Sequence, residues 1–127
     1  MKLRYAIFYV ENVSDTIAFY ESAFGIEKKM LHESGEYGEM ETGTTTLAFS
    51  SVNLMTQLGK NPGRPSPDRP TCEIAFETDD VASAFEKALG AGAKAIQPPE
   101  HMPWGQTISY VADPSGYLVE ICSAVET

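Results

Sequence analysis

The sequence predicts an α+β fold made of two βαβββ modules, with curved mixed sheets around a concave cavity. Three observations carry that expectation. The order strand, helix, strand, strand, strand runs through the 127 residues twice. Laying Tyr5–Glu27 over Glu73–Ala95, a shift of 68, places Phe8 on Phe76 and Val13 on Val81; a shift of 72 places Ala48 on Glu120. Between the copies lies a stretch rich in proline and glycine. An internal duplication accounts for all three.

The elements follow from local pattern. LRYAIFYV alternates and is rich in aromatic and β-branched residues, which marks a strand. In ENVSDTIAFYESAFG, Ser14 or Asp15 is the expected helix cap, Ile17, Tyr20 and Phe24 keep helical spacing, and Gly25 ends the helix. Shorter strands are expected in IEKKMLHE, YGEMET and TTLAFSS, separated by Ser34–Gly35 and Gly43. TQLGKNPGRPSPDRP, with four prolines and two glycines, has no period and reads as a linker or extended loop. The second copy repeats the order: strand TCEIAFET, helix DDVASAFEKALGAG, then strands AKAIQP, GQTISYVA and YLVEICS. Asp113-Pro114-Ser115-Gly116 has the residue types of a tight turn, joining the last two strands as a hairpin. The expected division is therefore 1–55 for the first module, 56–70 for the linker and 71–127 for the second, within one domain.

Composition bounds the partners. A formal net charge of −9, with nine basic residues scattered along the chain, argues against nucleic acid. The apolar runs are too short to span a bilayer, so no membrane partner is expected. The N-terminal stretch lacks a signal peptide's long apolar region, and two cysteines make no disulfide framework; a cytoplasmic location is the expectation.

Taken together, YVENVSDTIAFYESAFG, TDDVASAFEKALGAGA and PWGQTISYVADPSGYLVEI resemble the vicinal oxygen chelate superfamily, the group of glyoxalases, bleomycin-resistance proteins and extradiol dioxygenases. The resemblance covers all but the linker and implies a glyoxalase/bleomycin-resistance-like fold, a small-molecule ligand and a homodimer. In metal-using members, ligands come from the first and fourth strand of each module. Carried over by strand position, those places are Tyr5, Ala48, Glu73 and Glu120. Only the two glutamates are good ligands for a hard divalent ion, and a catalytic site generally has about three protein ligands. The expectation is thus no cofactor, or a weakly bound divalent metal held incompletely by Glu73 and Glu120.

Two functional classes follow. One is a resistance-type binding protein; the alternative is a lyase or isomerase of the lactoylglutathione lyase type, with Glu120 and Glu73 as the catalytic carboxyls. A dioxygenase is disfavoured, because no two-His-one-carboxylate set arises at the four positions. Glu120 is the sharpest candidate, a carboxyl sharing its strand face with Leu118 and Cys122. It either reaches solvent at a sheet edge or lines a cavity. Glu73 lies on an alternating face with Ala75 and Glu77 that is also consistent with simple solvation. Tyr5, Tyr9, Ala48, Trp104, Gln106 and Cys122 complete the expected substrate-binding set, although an aromatic in a strand or a lone Cys is more often core. His32 and His101 form no metal motif.

Overall fold

The computed structural model describes residues 1–126 and divides into two compact units, Met1–Gly63 and Arg64–Thr127. In the first, β1 (Tyr5–Val10) leads to α1 (Val13–Phe24), β2 (Lys28–Leu31), β3 (Tyr37–Met40), β4 (Thr46–Ser51) and α2 (Val52–Gln57). The sheet order is β1-β4-β3-β2; β1 runs parallel to β4 and the other pairs are antiparallel. A parallel neighbour needs a crossover, which α1, β2 and β3 together provide.

α1 buries Val13, Ile17, Tyr20 and Ala23, whose spacing forms one apolar stripe. Tyr20 stacks at 5.0 Å from Phe49 of β4, and Phe49 lies 6.4 Å from Phe8 of β1. The helix cap is Asn12, not Ser14 or Asp15: its Oδ1 accepts the Asp15 N–H at 2.9 Å. The reason is burial. Capping two residues later would leave Val13, only 1% exposed, outside the helix and out of the core. Gly25 ends α1 in the left-handed region, as expected.

The second unit holds β5 (Glu73–Glu77), α3 (Val81–Gly90), β6 (Lys94–Met102), β7 (Gln106–Ala112) and β8 (Leu118–Cys122). Its order, β5-β8-β7-β6, with β5 parallel to β8, repeats that of the first unit. Asp80 caps α3 through the Ser83 N–H, and Val81, Phe85 and Ala88 are its buried stripe. The structure is α+β, with two four-stranded mixed sheets.

Two elements differ from the pattern reading. β6 runs nine residues, through Pro98 and Pro99, where the sequence suggested a stop at Gln97–Pro98. It is an outer strand, and its pairing with β7 slips between Ala95 and Gln97 and between Gln97 and Glu100. An edge with bulges tolerates residues that lack an N–H. α2 was not legible because six residues are too few to show a helical period. Its signal is a cap, Ser51, whose Oγ accepts the Leu54 N–H. Among the described residues, no helix is long and apolar enough to cross a membrane.

Candidate functional site

Strand register places the site residues. In the first unit Ile7 pairs with Ala48, and in the second Ala75 pairs with Glu120. The two offsets read from the sequence thus land on equivalent ladder positions. Tyr5 and Glu73 each lie two residues earlier, on the same face as those rungs.

On β8, Val119 and Ile121 are turned inward and nearly fully buried, whereas Glu120 is half-buried on the opposite face. Across the sheet Glu120 pairs with Tyr110 of β7, and Tyr110 pairs with Gln97 of β6. The Tyr110 hydroxyl lies near both Glu73 and Glu120, close enough for each carboxyl to act on the phenol. Three strands therefore bring two carboxyls and a phenol together. Burial, then the charge of Glu73, pushes the Glu120 carboxyl above its ordinary value, while a hydrogen bond from Tyr110 pulls it partly back. Burial and the same two carboxyls push the Tyr110 phenol up to about 12, so it stays a donor at neutral pH. A carboxyl that holds its proton more tightly, beside another carboxyl and a phenol, suits proton transfer or binding of a polar ligand.

Cys122 lies on the same face but is only 7% exposed, with its thiol directed to the Phe76 carbonyl at 3.6 Å. Burial and the charges of Glu120 and Glu77 raise the thiol's pKa, which leaves it a poor nucleophile. Gln106 accepts from the Trp104 indole N–H at 2.7 Å and donates to the Ser123 carbonyl at 3.0 Å. Trp104 is 53% exposed at the tip of the β6–β7 hairpin. His32 is held by Ser34, and His101 lies exposed at the start of that hairpin, facing Thr107.

The first unit's face has a different chemistry. Ala48 is fully buried between Ile7 and Glu39 in the ladder. Glu39 accepts from the Tyr37 hydroxyl at 2.8 Å, and burial together with Glu39 drives the Tyr37 phenol far up. Arg4 sits 4.8 Å above the Tyr5 ring and donates to Thr46 Oγ1 at 2.8 Å. Tyr5 is about half-exposed, and Tyr9 is half-buried on the same side of β1.

Sequence reasoning missed Tyr110, Glu39, Tyr37 and Arg4. For Tyr110 the signal was partial: the Asp113–Gly116 turn makes its strand the neighbour of the one carrying Glu120. Equal steps from the turn's ends reach Val119, however, and Glu120 is reached only because the loop closes on Asp113 and Tyr117. For Glu39 none did, since the β3–β4 loop does not reveal its register.

Glu73 and Glu120 are the residues of the second unit placed to hold a divalent metal. Among the described residues no group of three or more His, Cys, Asp or Glu is disposed to hold one. Two carboxylates fall short of the usual donor set, so the residues do not fit a tight site.

The comparisons with known proteins agree with this architecture. The family model described as Glyoxalase/Bleomycin resistance protein/Dioxygenase superfamily matches residues 2–121. The chain belongs to that superfamily. Within it, the chain is 29% identical to a probable lactoylglutathione lyase of Synechocystis sp., covering 95% of this chain and 94% of that one. It is 27% identical to a lactoylglutathione lyase of Salmonella typhimurium, covering 98% and 93%. Among superfamily folds, a glyoxalase-related enzyme from Fulvimarina pelagi superposes with a TM-score of 0.84 at 23% identity, covering 98% of this chain and 88% of that one. TioX from Micromonospora sp. superposes with a TM-score of 0.73 at 18% identity, covering 97% and 98%.

Proposed function

We propose that this chain is a small-molecule-binding protein of the resistance type, which receives its ligand on the face of the second sheet. The observation that carries this is the meeting of half-buried Tyr110 and Glu120 with the exposed Glu73 on one face, beside apolar Ile108 and Leu118. A few converging polar groups on an otherwise apolar wall are what a small-molecule site requires. Ala48, at the corresponding rung of the first unit, has no donor to offer a metal. Trp104, Gln106 and Cys122 belong to the rim in this reading. A homodimer is part of the proposal: β1 is an outer strand with Tyr5 45% and Ile7 44% exposed. A monomeric mass by light scattering across a wide concentration range overturns it.

A second reading, a lyase of the lactoylglutathione lyase type, is favoured by the names of the two relatives and by the raised Glu120 carboxyl. One experiment separates the two. Purified protein is analysed for metal content and assayed for turnover of methylglyoxal with glutathione. Binding predicts no stoichiometric divalent metal and no turnover, before or after incubation with Zn²⁺ or Ni²⁺. Metal-dependent turnover that disappears in Glu120→Gln establishes the lyase.

Stability gives an independent check on the carboxyl pair. Burial and Glu73 raise the Glu120 pKa on folding, so this group favours the folded chain fully below its unfolded value. That contribution is lost as pH rises through the raised value. Glu120→Gln, which cannot ionise, is therefore expected to melt above wild type near neutral pH and close to it in acid. Thermal melts at both pH values test this; a lower melting temperature at neutral pH refutes the electrostatic account.

A further inference from the structure

The hairpin tip holds an arrangement that the binding reading does not require. A tryptophan more than half exposed is free to rotate at a hairpin tip unless something holds its ring. Here a relay holds it. The Trp104 Nε1–H donates to Gln106 Oε1, and Gln106 Nε2 donates to the Ser123 carbonyl. Ser123 is itself fastened twice to Thr107: its N–H donates to the Thr107 carbonyl, and its Oγ accepts the Thr107 N–H, both at 2.9 Å. Further along, the Glu126 N–H donates to the Gly105 carbonyl at 2.9 Å. Gly105 has φ +84, and a Cβ there would come within 3.3 Å of the Glu126 Cβ. Glycine thus serves both the turn and the close approach of the C-terminal segment.

We propose that Gln106 is a positioning residue that ties the Trp104 indole to the segment Ser123–Glu126, so that docking of this segment fixes the ring at the rim of the site. The hairpin turn alone does not fix it, because the indole's bond leads to Gln106, and Gln106 is anchored on a different strand's extension. The functional consequence rests on the binding reading above: a docked segment presents a fixed aromatic plane at the end of the sheet that carries Glu73, Tyr110 and Glu120, and an undocked one releases it. The tether itself is independent of any ligand.

Trp104 is the only tryptophan, so its fluorescence reports on the tether directly. Time-resolved anisotropy is measured on the full chain without ligand, for wild type, Gln106→Leu and Gln106→Glu, with circular dichroism confirming the fold. The glutamate is the decisive variant. Its carboxylate still accepts from the indole N–H but has no N–H to give the Ser123 carbonyl. Both variants are expected to enlarge the fast rotational component, with the released ring about fivefold more populated, as loss of one ordinary hydrogen bond produces. If Gln106→Glu keeps the wild-type decay, the local bond suffices and the proposal fails; a wild-type decay in Gln106→Leu overturns it as well. Should either variant not fold, Glu126→Pro removes the N–H given to Gly105 and must also loosen the ring; an unchanged decay there counts against the tether. Because no ligand is present, failure here leaves the binding reading standing, and a failed binding experiment leaves the tether standing.

Discussion

Asp113→Ala is expected to destabilise the protein by about 2–4 kcal/mol, as several charge-assisted hydrogen bonds are lost together. The Asp113 side chain, 4% exposed, accepts three successive backbone N–H groups, from Ser115, Gly116 and Tyr117, at 2.9–3.0 Å. It organises the turn that sets the register of β7 against β8, and hence the rung on which Tyr110 meets Glu120. The turn is also seated against the preceding loop: a Cβ on Gly116 would lie 3.0 Å from the Pro65 carbonyl oxygen. Alanine leaves the Ser115 and Tyr117 N–H groups to find water in a partly buried place, while the Gly116 N–H keeps the Asp113 carbonyl at 2.9 Å. Asp113→Asn keeps an acceptor oxygen and is expected to cost about 1 kcal/mol or less. Chemical denaturation of the three proteins measures both differences, and equal losses in the two variants would show that charge, not acceptor geometry, organises the turn.

Gly38→Ala is the second large effect. Gly38 lies in β3 beneath α1, and an added Cβ would stand 2.6 Å from Ile17 Cδ1, 3.1 Å from Val13 Cγ1 and 3.2 Å from the Met30 carbonyl oxygen. Helix and sheet are in contact there with no room for a methyl group. Overpacking of this kind costs about 1–3 kcal/mol. The first of the three atoms ends a side chain, so it can be removed. Ile17→Val deletes Cδ1 at a cost of about 0.5–1.5 kcal/mol by itself. In the double variant the two losses are expected to sum to less than their separate values, since each relieves the other. Strict additivity in a denaturation cycle would contradict this contact.

The fold was largely legible in the sequence, for reasons that particular segments make clear. TIAFY and VASAF keep a helical stripe, LRYAIFYV alternates, and Gly25 and the Asp113–Gly116 turn punctuate at positions where few other residues serve. These are local signals, and the duplication states them twice. What escaped is non-local or short. Asn12 does not stand out because capping residues occupy three nearby positions, and only the burial of Val13 chooses among them. α2 is too short to show a period, and β6 continues through two prolines because it is an outer strand.

The candidate site divides along the same line. Glu120 and Glu73 stand out along their own strands, one as a carboxyl among apolar residues and the other through the repeat. Tyr110 reads on its strand as an ordinary alternating aromatic, and Glu39 as an ordinary charge; each gains its place only from the strand across from it. Sequence alone determined the βαβββ order, its repetition, and two carboxyls at matching strand positions in the second unit. Tertiary structure decided which groups meet: the Tyr110 hydroxyl with both carboxyls, Glu39 with Tyr37, and Trp104 with Gln106. The physical reason is that side-chain alternation is a property of one strand, whereas register is set by turns and by burial against the opposing helix.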